Sequence, residues 1–444
     1  MAKFLVFGAG LVAKPMVEYL ARRPDNQITL VGYTLQEAEN IAQFFPNVFA
    51  MQADVRDSKT LDDLIGGNDI VVSLVPASFH INIVKSCIKN KIHMVTASYQ
   101  SVEMLALKHE IEKAGIIVIN EIGLDPGIDH LAAMQIIDKV KANDDEIESF
   151  VSWCGGIPAV ESNDNPLMYK FSWEPRGAIM VLLNDAIYQK NNKTIKIEGE
   201  DLMKWRQKIS IEDLPLECYP NRVSINYKSI YGIDNVKDII RGTLRYQGFC
   251  DIFSHIKKLG LMQTNIGEVK TPISWKNYIL KLNDCENIEQ LMEIINEKSW
   301  QALNWLGIFS DNPVPQNLCS IDALCELLLQ KLPYKKGERD MVVLQHKFVI
   351  AKKDGTRTFL SSTLKQIGEP DGYSAMAKTV GYPVAIVSQM IADNKIKQKG
   401  LLMPVTKEIY KPMLKLLEKE DIIFNEKRYT EAEMNKQEFL AELY

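Results

Sequence analysis

No apolar run in this 444-residue chain reaches the ~18 residues that a membrane-spanning helix needs. An excess of positive charge is missing too. Lys and Arg number 52 against 57 Asp and Glu, a net charge of -5, which argues against a general nucleic-acid binder. The seven cysteines are odd in number and contain no CxxC pair, as expected of reduced thiols rather than a disulfide scaffold or zinc framework. The six histidines show no HExxH spacing, so no metal is expected. The N-terminal apolar stretch meets Gly8 and Gly10 too early for a signal peptide, and a cytoplasmic location is expected. Internal repeats and low-complexity segments are absent. What remains is 46 % apolar and 25 % charged residues, the composition of a globular protein. The length suits about three domains and several cores without covalent staples.

The first third alternates short apolar runs with helical periodicity. Strands are predicted at Lys3–Phe7, Ile28–Tyr33, Val48–Ala53, Asp69–Val75, His93–Ala97 and Ile116–Asn120. Helices are predicted at Leu11–Arg23, Leu35–Phe44, Lys59–Ile65, Phe79–Lys89 and Val102–Lys113. Six such alternations indicate an α/β doubly wound parallel sheet. The alternation stops after Asp125-Pro126-Gly127. Strands are then predicted at Ile147–Trp153 and Tyr169–Trp173, a helix at Ile179–Gln189, and mostly helix over 234–330. Met341–Ala351 and Thr356–Ser362 read as a hairpin through Asp354-Gly355. In it His346 shares a face with Val342, Leu344, Phe348 and Ile350, which suits a core or interface histidine better than a ligand.

Gly8-Ala9-Gly10-Leu11-Val12-Ala13 follows the first strand and opens the first helix. This is the G-x-G-x-x-A pattern of dinucleotide binding. Gly8 permits the turn, Gly10 lets backbone approach a pyrophosphate, and Ala13 keeps helix and strand close. The helix N-terminus offers N–H groups to phosphate. An NAD-specific site carries a carboxylate at the end of the second strand. Here that place reads Gly32-Tyr33-Thr34. Tyr33 could cover the adenine and Thr34 could donate a hydrogen bond. Asp54-Val55, after the third strand, could meet the adenine edge, or Asp54 could cap the next helix.

Four arginines sit near Gly, Pro and Thr: Arg176, Arg222, Arg241 and Arg245. A guanidinium grips a carboxylate through two parallel hydrogen bonds, so the group suggests a polycarboxylic substrate, with surface ion pairs as the plainer alternative. Asp125 and Tyr99 lie at carboxyl ends of strands, where open parallel sheets bind ligands. Cys154 precedes Gly155-Gly156 and could be a buried packing thiol.

These segments resemble saccharopine reductase, the glutamate-forming saccharopine dehydrogenase family. The likeness is carried by Gly8–Ala13, Ser98-Tyr99, the run Asn120–Leu131, Cys154-Gly155-Gly156, Asp164–Leu167, Lys170–Trp173, Tyr219–Arg222 and Arg241–Tyr246. Further along, Trp305-Leu306-Gly307, Glu338-Arg339-Asp340, Ser362-Thr363-Leu364 and Ser374–Ala377 extend it.

The resemblance implies a Rossmann-variant cofactor domain over 1–124, to which C-terminal helices (about 375–444) return. It implies an α/β substrate and dimerisation domain over 125–233 and 331–374, and a mainly helical domain over 234–330. It also implies the reaction, in which glutamate and 2-aminoadipate semialdehyde condense to an imine that a nicotinamide hydride reduces to saccharopine. Such an enzyme serves lysine synthesis or degradation as a homodimer.

Imine formation and hydrolysis need proton transfers, for which Asp125 and Tyr99 are the catalytic candidates, with Cys154 as a third. By the same resemblance, Ser98, Tyr99, Asp125, Arg222, Thr243, Leu244 and Arg245 contact substrate. The resemblance and the glycine-loop reading together put the expected cofactor positions at Gly8, Gly10, Leu11, Val12, Ala13, Tyr33, Thr34, Asp54, Val55, Val75, Ala97, Ser98, Leu124, Asp125, Pro126 and Glu174. Two departures stand out: the family carries an arginine for the 2′-phosphate where this chain has Tyr33, and Ser where it has Glu174. The expected cofactor is NADP, with NAD also used. Competing readings are an imine reductase of carboxyspermidine type and a non-catalytic dinucleotide sensor.

Overall fold

The computed structural model describes residues 1–264, 269 and 271–443. The chain divides into two units, Met1–Asp145 with Tyr373–Asn425, and Glu146–Gly372 with Glu426–Tyr444.

The first unit is built on a seven-stranded sheet. Its order is Gly400–Leu402, Ile117–Ile119, His93–Thr96, Ile70–Ser73, Ala2–Phe7, Asn26–Gly32, Val48–Gln52. Every neighbouring pair is parallel. The six predicted strands are present because buried parallel strands are apolar on both faces. The seventh, Gly400–Leu402, has three residues and adds to the edge beside Ile117–Ile119. The sheet order reverses between Ile70–Ser73 and Ala2–Phe7. A dinucleotide bridges such a reversal, outside the carboxyl ends. The predicted helix at 102–113 is two helices, Val102–Ala106 and Lys108–Ala114. The 18-residue helix Ala375–Ala392 buries nearly all of its length in this unit.

The second unit carries a mixed sheet. Its main path runs Gln207–Ile211, Leu214–Pro220, Asp238–Tyr246, Glu146–Pro158, Asp340–Ala351, Arg357–Ile367, Asn425–Thr430. A side hairpin, Ala186–Lys190 with Lys193–Ile197, joins at Asp238–Tyr246. Three expectations are corrected here. Tyr169–Trp173 forms no strand; Tyr169 and Phe171 are instead buried in the core that the helical segment builds. The region predicted as one helix over 179–189 divides into the end of helix Pro175–Met180, a 3-10 turn, and strand Ala186–Lys190. Asp238–Tyr246, inside the stretch predicted as mostly helical, is a central strand with all nine residues buried. Its two arginines mask the apolar pattern. Residues 426–444 pack with this second unit, because Phe439, Leu440 and Leu443 belong to its core.

The alternation of the central strands separates two faces. Val151, Trp153, Leu244, Tyr246 and Val343 enter a core that Phe359 and the C-terminal residues close. The opposite face mixes buried apolar residues, Phe150, Ile239, Val342, Leu344 and Phe348, with a polar patch. Ser152 lies across from Arg241 on one side and His346 on the other, and Cys154 lies across from Thr243. Gly242 is required here: a Cβ would collide with the Trp153 ring and the Tyr219 carbonyl.

Candidate functional site

In the first unit the predicted cofactor positions lie along the carboxyl ends of the parallel strands. Gly8 has φ +110°, and a Cβ there would lie 3.0 Å from Leu74 backbone, so the turn demands glycine. In front of Gly10 the space is open: a Cβ would meet nothing within 4 Å. Helix Ala13–Ala21 has no side-chain cap at Val12 and no acidic residue in its first turn. Its N–H groups are therefore unclaimed by side chains, as a phosphate site requires. Leu11 is exposed beside this loop. Val55 and Val75 pack partly buried against the sheet's core. Thr34 caps helix Leu35–Ala42 in a reciprocal capping box with Glu37, and Tyr33 is 68 % exposed. Asp54 does not cap a helix; Asp57 does. The Asp54 carboxylate instead binds Arg56, Nε at 2.9 Å from both oxygens and Nη2 at 2.6 Å. That charge-assisted contact lowers its pKa to about 2.

At the other end of the same edge, Tyr99 Oη donates to Asp125 Oδ1 at 3.1 Å. Both are partly buried. Three residues that sequence reading did not assign hold this loop. His80 is buried, with Nδ1 2.7 Å from Ser73 Oγ and Nε2 2.8 Å from Ser98 Oγ. Burial lowers its pKa to about 4, so it is neutral at physiological pH. Glu121 accepts from the Gln100 N–H at 3.1 Å and contacts His130 Nε2 at 3.0 Å. The Glu121 N–H donates to the Ser98 carbonyl at 3.0 Å. Ser98-Tyr99 is thus clamped from both sides. Ala97 lies against Gly123, where a Cβ would come within 3.0 Å of its methyl, and this packs the Leu124–Pro126 loop onto the strand that precedes Ser98. Asp129 accepts from the Gly127 N–H at 2.6 Å, inside the same loop.

In the second unit the polar patch on that sheet face gathers Arg241, Thr243, Arg245, Cys154 and Tyr219. Arg245 is only 5 % exposed. Its Nη1 donates to the Leu244 carbonyl at 2.8 Å, and the guanidinium lies 5.0 Å from the Tyr169 ring and 5.2 Å from that of Phe249. No carboxylate among the described residues pairs with it. Its Nε, and the hydroxyls of Tyr169 and Tyr219, are buried without hydrogen-bond partners. Burial holds the Tyr219 phenol well above its ordinary pKa, so it remains a donor. An unpaired buried cation flanked by idle donors is costly, and an anionic ligand group satisfies all of them. Lys170 is the contrast: equally buried, it is paired with Asp164 at 2.7 Å and Glu338 at 2.6 Å. Arg176 forms an ordinary exposed ion pair with Asp322 at 2.7 Å. Arg222 is exposed, at φ +52°, just past the end of its strand. The Leu244 side chain points into the opposite, apolar core, leaving only its backbone to the polar face. Glu174 caps helix Pro175–Met180, accepting from Arg176 and Gly177 N–H groups.

Known proteins match this chain along its length. The family model for the saccharopine dehydrogenase NADP binding domain matches residues 4–119, and that for the saccharopine dehydrogenase C-terminal domain matches 123–423. Saccharopine dehydrogenase [NADP(+), L-glutamate-forming] of Saccharomyces cerevisiae is 42 % identical over 439 residues, covering 95 % of this chain and 98 % of the relative. The protein of the same name from Schizosaccharomyces pombe is 38 % identical, covering 96 % and 99 %. Mitochondrial alpha-aminoadipic semialdehyde synthase of Mus musculus is 38 % identical, over 95 % of this chain but 47 % of that protein. The solved apo saccharopine dehydrogenase (L-Glu forming) from Saccharomyces cerevisiae superposes with a TM-score of 0.88 at 40 % identity, covering 97 % of this chain and all of that one. With two family models spanning nearly the whole sequence and relatives this similar end to end, the chain belongs to the saccharopine dehydrogenase family.

Proposed function

We propose that the chain is an NADP-dependent oxidoreductase of lysine metabolism that interconverts L-saccharopine and water with L-glutamate and 2-aminoadipate 6-semialdehyde. Full-length similarity to glutamate-forming saccharopine dehydrogenases supports this substrate pair over a carboxyspermidine-type substrate. The observation that carries the reading within the site is Arg245, a buried guanidinium with no carboxylate of its own. Saccharopine has three carboxylates. A diamine substrate would gain nothing from such a cation, and a nucleotide sensor would have no use for it.

NADPH, when bound, supplies the hydride that reduces the imine carbon. The first unit fits it through the Gly8–Ala13 turn and the uncapped helix N-terminus. Ser98 is oriented by His80, and Tyr99 by Asp125 and the Glu121 clamp. Imine formation and hydrolysis move protons between nitrogen and oxygen. Tyr99 Oη and Asp125 Oδ1, already sharing a hydrogen bond, are the groups that carry them. Cys154 lies on the polar face beside Thr243 and is a third candidate for proton transfer. Arg245 and the Tyr169 and Tyr219 hydroxyls hold one substrate carboxylate, Arg222 another, and Thr243 lines the same face.

Residues 1–124 with the returning segment make the cofactor domain in this reading. Residues 125–233 and 331–374 make the substrate and dimerisation domain, and 234–330 the helical one. The enzyme acts as a homodimer in the cytoplasm; its seven cysteines are all free, as in a reducing compartment.

Replacing Arg245 by Ala removes charge-assisted contacts of roughly 1.5–3 kcal/mol. The KM for saccharopine rises about tenfold or more while NADPH affinity holds. Tyr219→Phe gives a smaller rise in the same direction. Steady-state kinetics checks this, and an unchanged KM in both variants removes these residues from the site.

A further inference from the structure

Past the end of strand Asn26–Gly32 the chain reads Tyr33-Thr34, with neither a carboxylate nor a cation. The structure supplies a cation at this corner from the neighbouring loop. Strands Asn26–Gly32 and Val48–Gln52 are neighbours, with Gly32 opposite Gln52. Beyond their carboxyl ends the two loops stay together: the Ala53 N–H donates to the Gly32 carbonyl at 3.3 Å, and Gln52 Nε2 to the Tyr33 carbonyl at 3.1 Å. This corner is where such folds place the ribose that carries the 2′-phosphate. Arg56 rises from the second of these loops. Asp54 holds it in a fixed fork through Nε and Nη2. The Arg56 N–H also donates to Asp54 Oδ1 at 2.9 Å, which anchors its base. The side chain is 62 % exposed, so the other edge of the guanidinium faces solvent. The Tyr33 hydroxyl lies near enough to help keep Arg56 charged.

We propose that Arg56 is the cation that binds the 2′-phosphate of NADP in this chain, positioned by Asp54 and flanked by Tyr33. The inference rests on the dinucleotide reading of the Gly8–Ala13 turn. It commits only to how the phosphate is recognised. The carboxylates of these loops and of the helix starts that follow them, Asp54, Glu37 and Asp57, are each engaged. Asp54 orients the arginine. Glu37 accepts from the Thr34 N–H at 3.2 Å in the capping box. Asp57 caps helix Ser58–Ile65. A guanidinium paired on one edge keeps donors for a phosphate on the other, which a lysine ammonium could not do with the same geometry. Arg56 therefore discriminates NADP from NAD by directed hydrogen bonds and not by net charge.

The test is calorimetric titration of the full chain with NADPH, NADH, adenosine 2′,5′-bisphosphate and adenosine 5′-monophosphate, in wild type, Arg56→Ala and Arg56→Lys. Arg56→Ala weakens NADPH and the bisphosphate by about tenfold and leaves NADH and the monophosphate unchanged. Arg56→Lys falls between wild type and Arg56→Ala. Equal losses for phosphorylated and unphosphorylated ligands, or no loss at all, overturn the assignment. A wild type that binds neither cofactor overturns the dinucleotide reading itself, a result distinct from the loss of discrimination.

Discussion

At the scale of single residues, space decides what a substitution does. Gly8 cannot accept a side chain, because Leu74 backbone stands against it, whereas Gly10 faces open space. Gly10→Val is therefore expected to fold normally and to lose dinucleotide binding, since its branched side chain fills the pyrophosphate's approach. Fluorescence titration with NADPH, beside a thermal melt, checks both halves; a folded variant with wild-type affinity would make the loop purely structural. The glycine pattern was legible because its chemistry is local. The Ser98-Tyr99 clamp was not. His80, Glu121 and His130 act through contacts across seven to 21 positions of chain, as His80 does with Ser73 and Ser98 and Glu121 with Gln100 and His130. A lone histidine on a helix carries no mark of such a partner. Arg245 was legible only as one of four arginines; burial distinguishes it from Arg176, which pairs on the surface.

At the scale of elements, the parallel strands of the first unit could be read because both faces are apolar. Asp238–Tyr246 could not, since Arg241 and Arg245 interrupt its apolar residues for the sake of the polar face. Gly400–Leu402 is too short to have a period. The C-terminal segment shows what pairing across elements contributes. Glu442 accepts from Trp153 Nε1 at 3.0 Å and from Lys347 Nζ at 2.8 Å, all three side chains being largely buried. Lys436 adds ion pairs to Glu148 at 2.9 Å and Asp238 at 2.8 Å. Removing one partner of a buried pair leaves the other charge stranded. Glu442→Ala is expected to destabilise the second unit by about 3 kcal/mol, read as a lower denaturant midpoint. A midpoint equal to wild type would mean that the C-terminal segment adds nothing to this core.

At the scale of the whole molecule, a buried histidine, His80, and a partly buried one, His93, couple stability to pH. His80, and His93 with it, have pKa values lowered to about 4, chiefly by burial. Between that value and the unfolded value of about 6.5, the unfolded chain binds more protons. Stability therefore rises with pH through this window and falls on acidification. For His80 the full effect is about 3 kcal/mol. Thermal melts from pH 7 to 4.5 should show a falling midpoint, with a shallower fall in His80→Gln; identical slopes would contradict the assignment. The central claim concerns the reaction. It is tested most directly by incubating the purified chain with L-saccharopine and NADP while following reduced nicotinamide and free glutamate together. The account predicts saccharopine-dependent formation of NADPH and glutamate in equal amounts. Lysine with 2-oxoglutarate as products, or no turnover by a protein that binds NADPH, would contradict it.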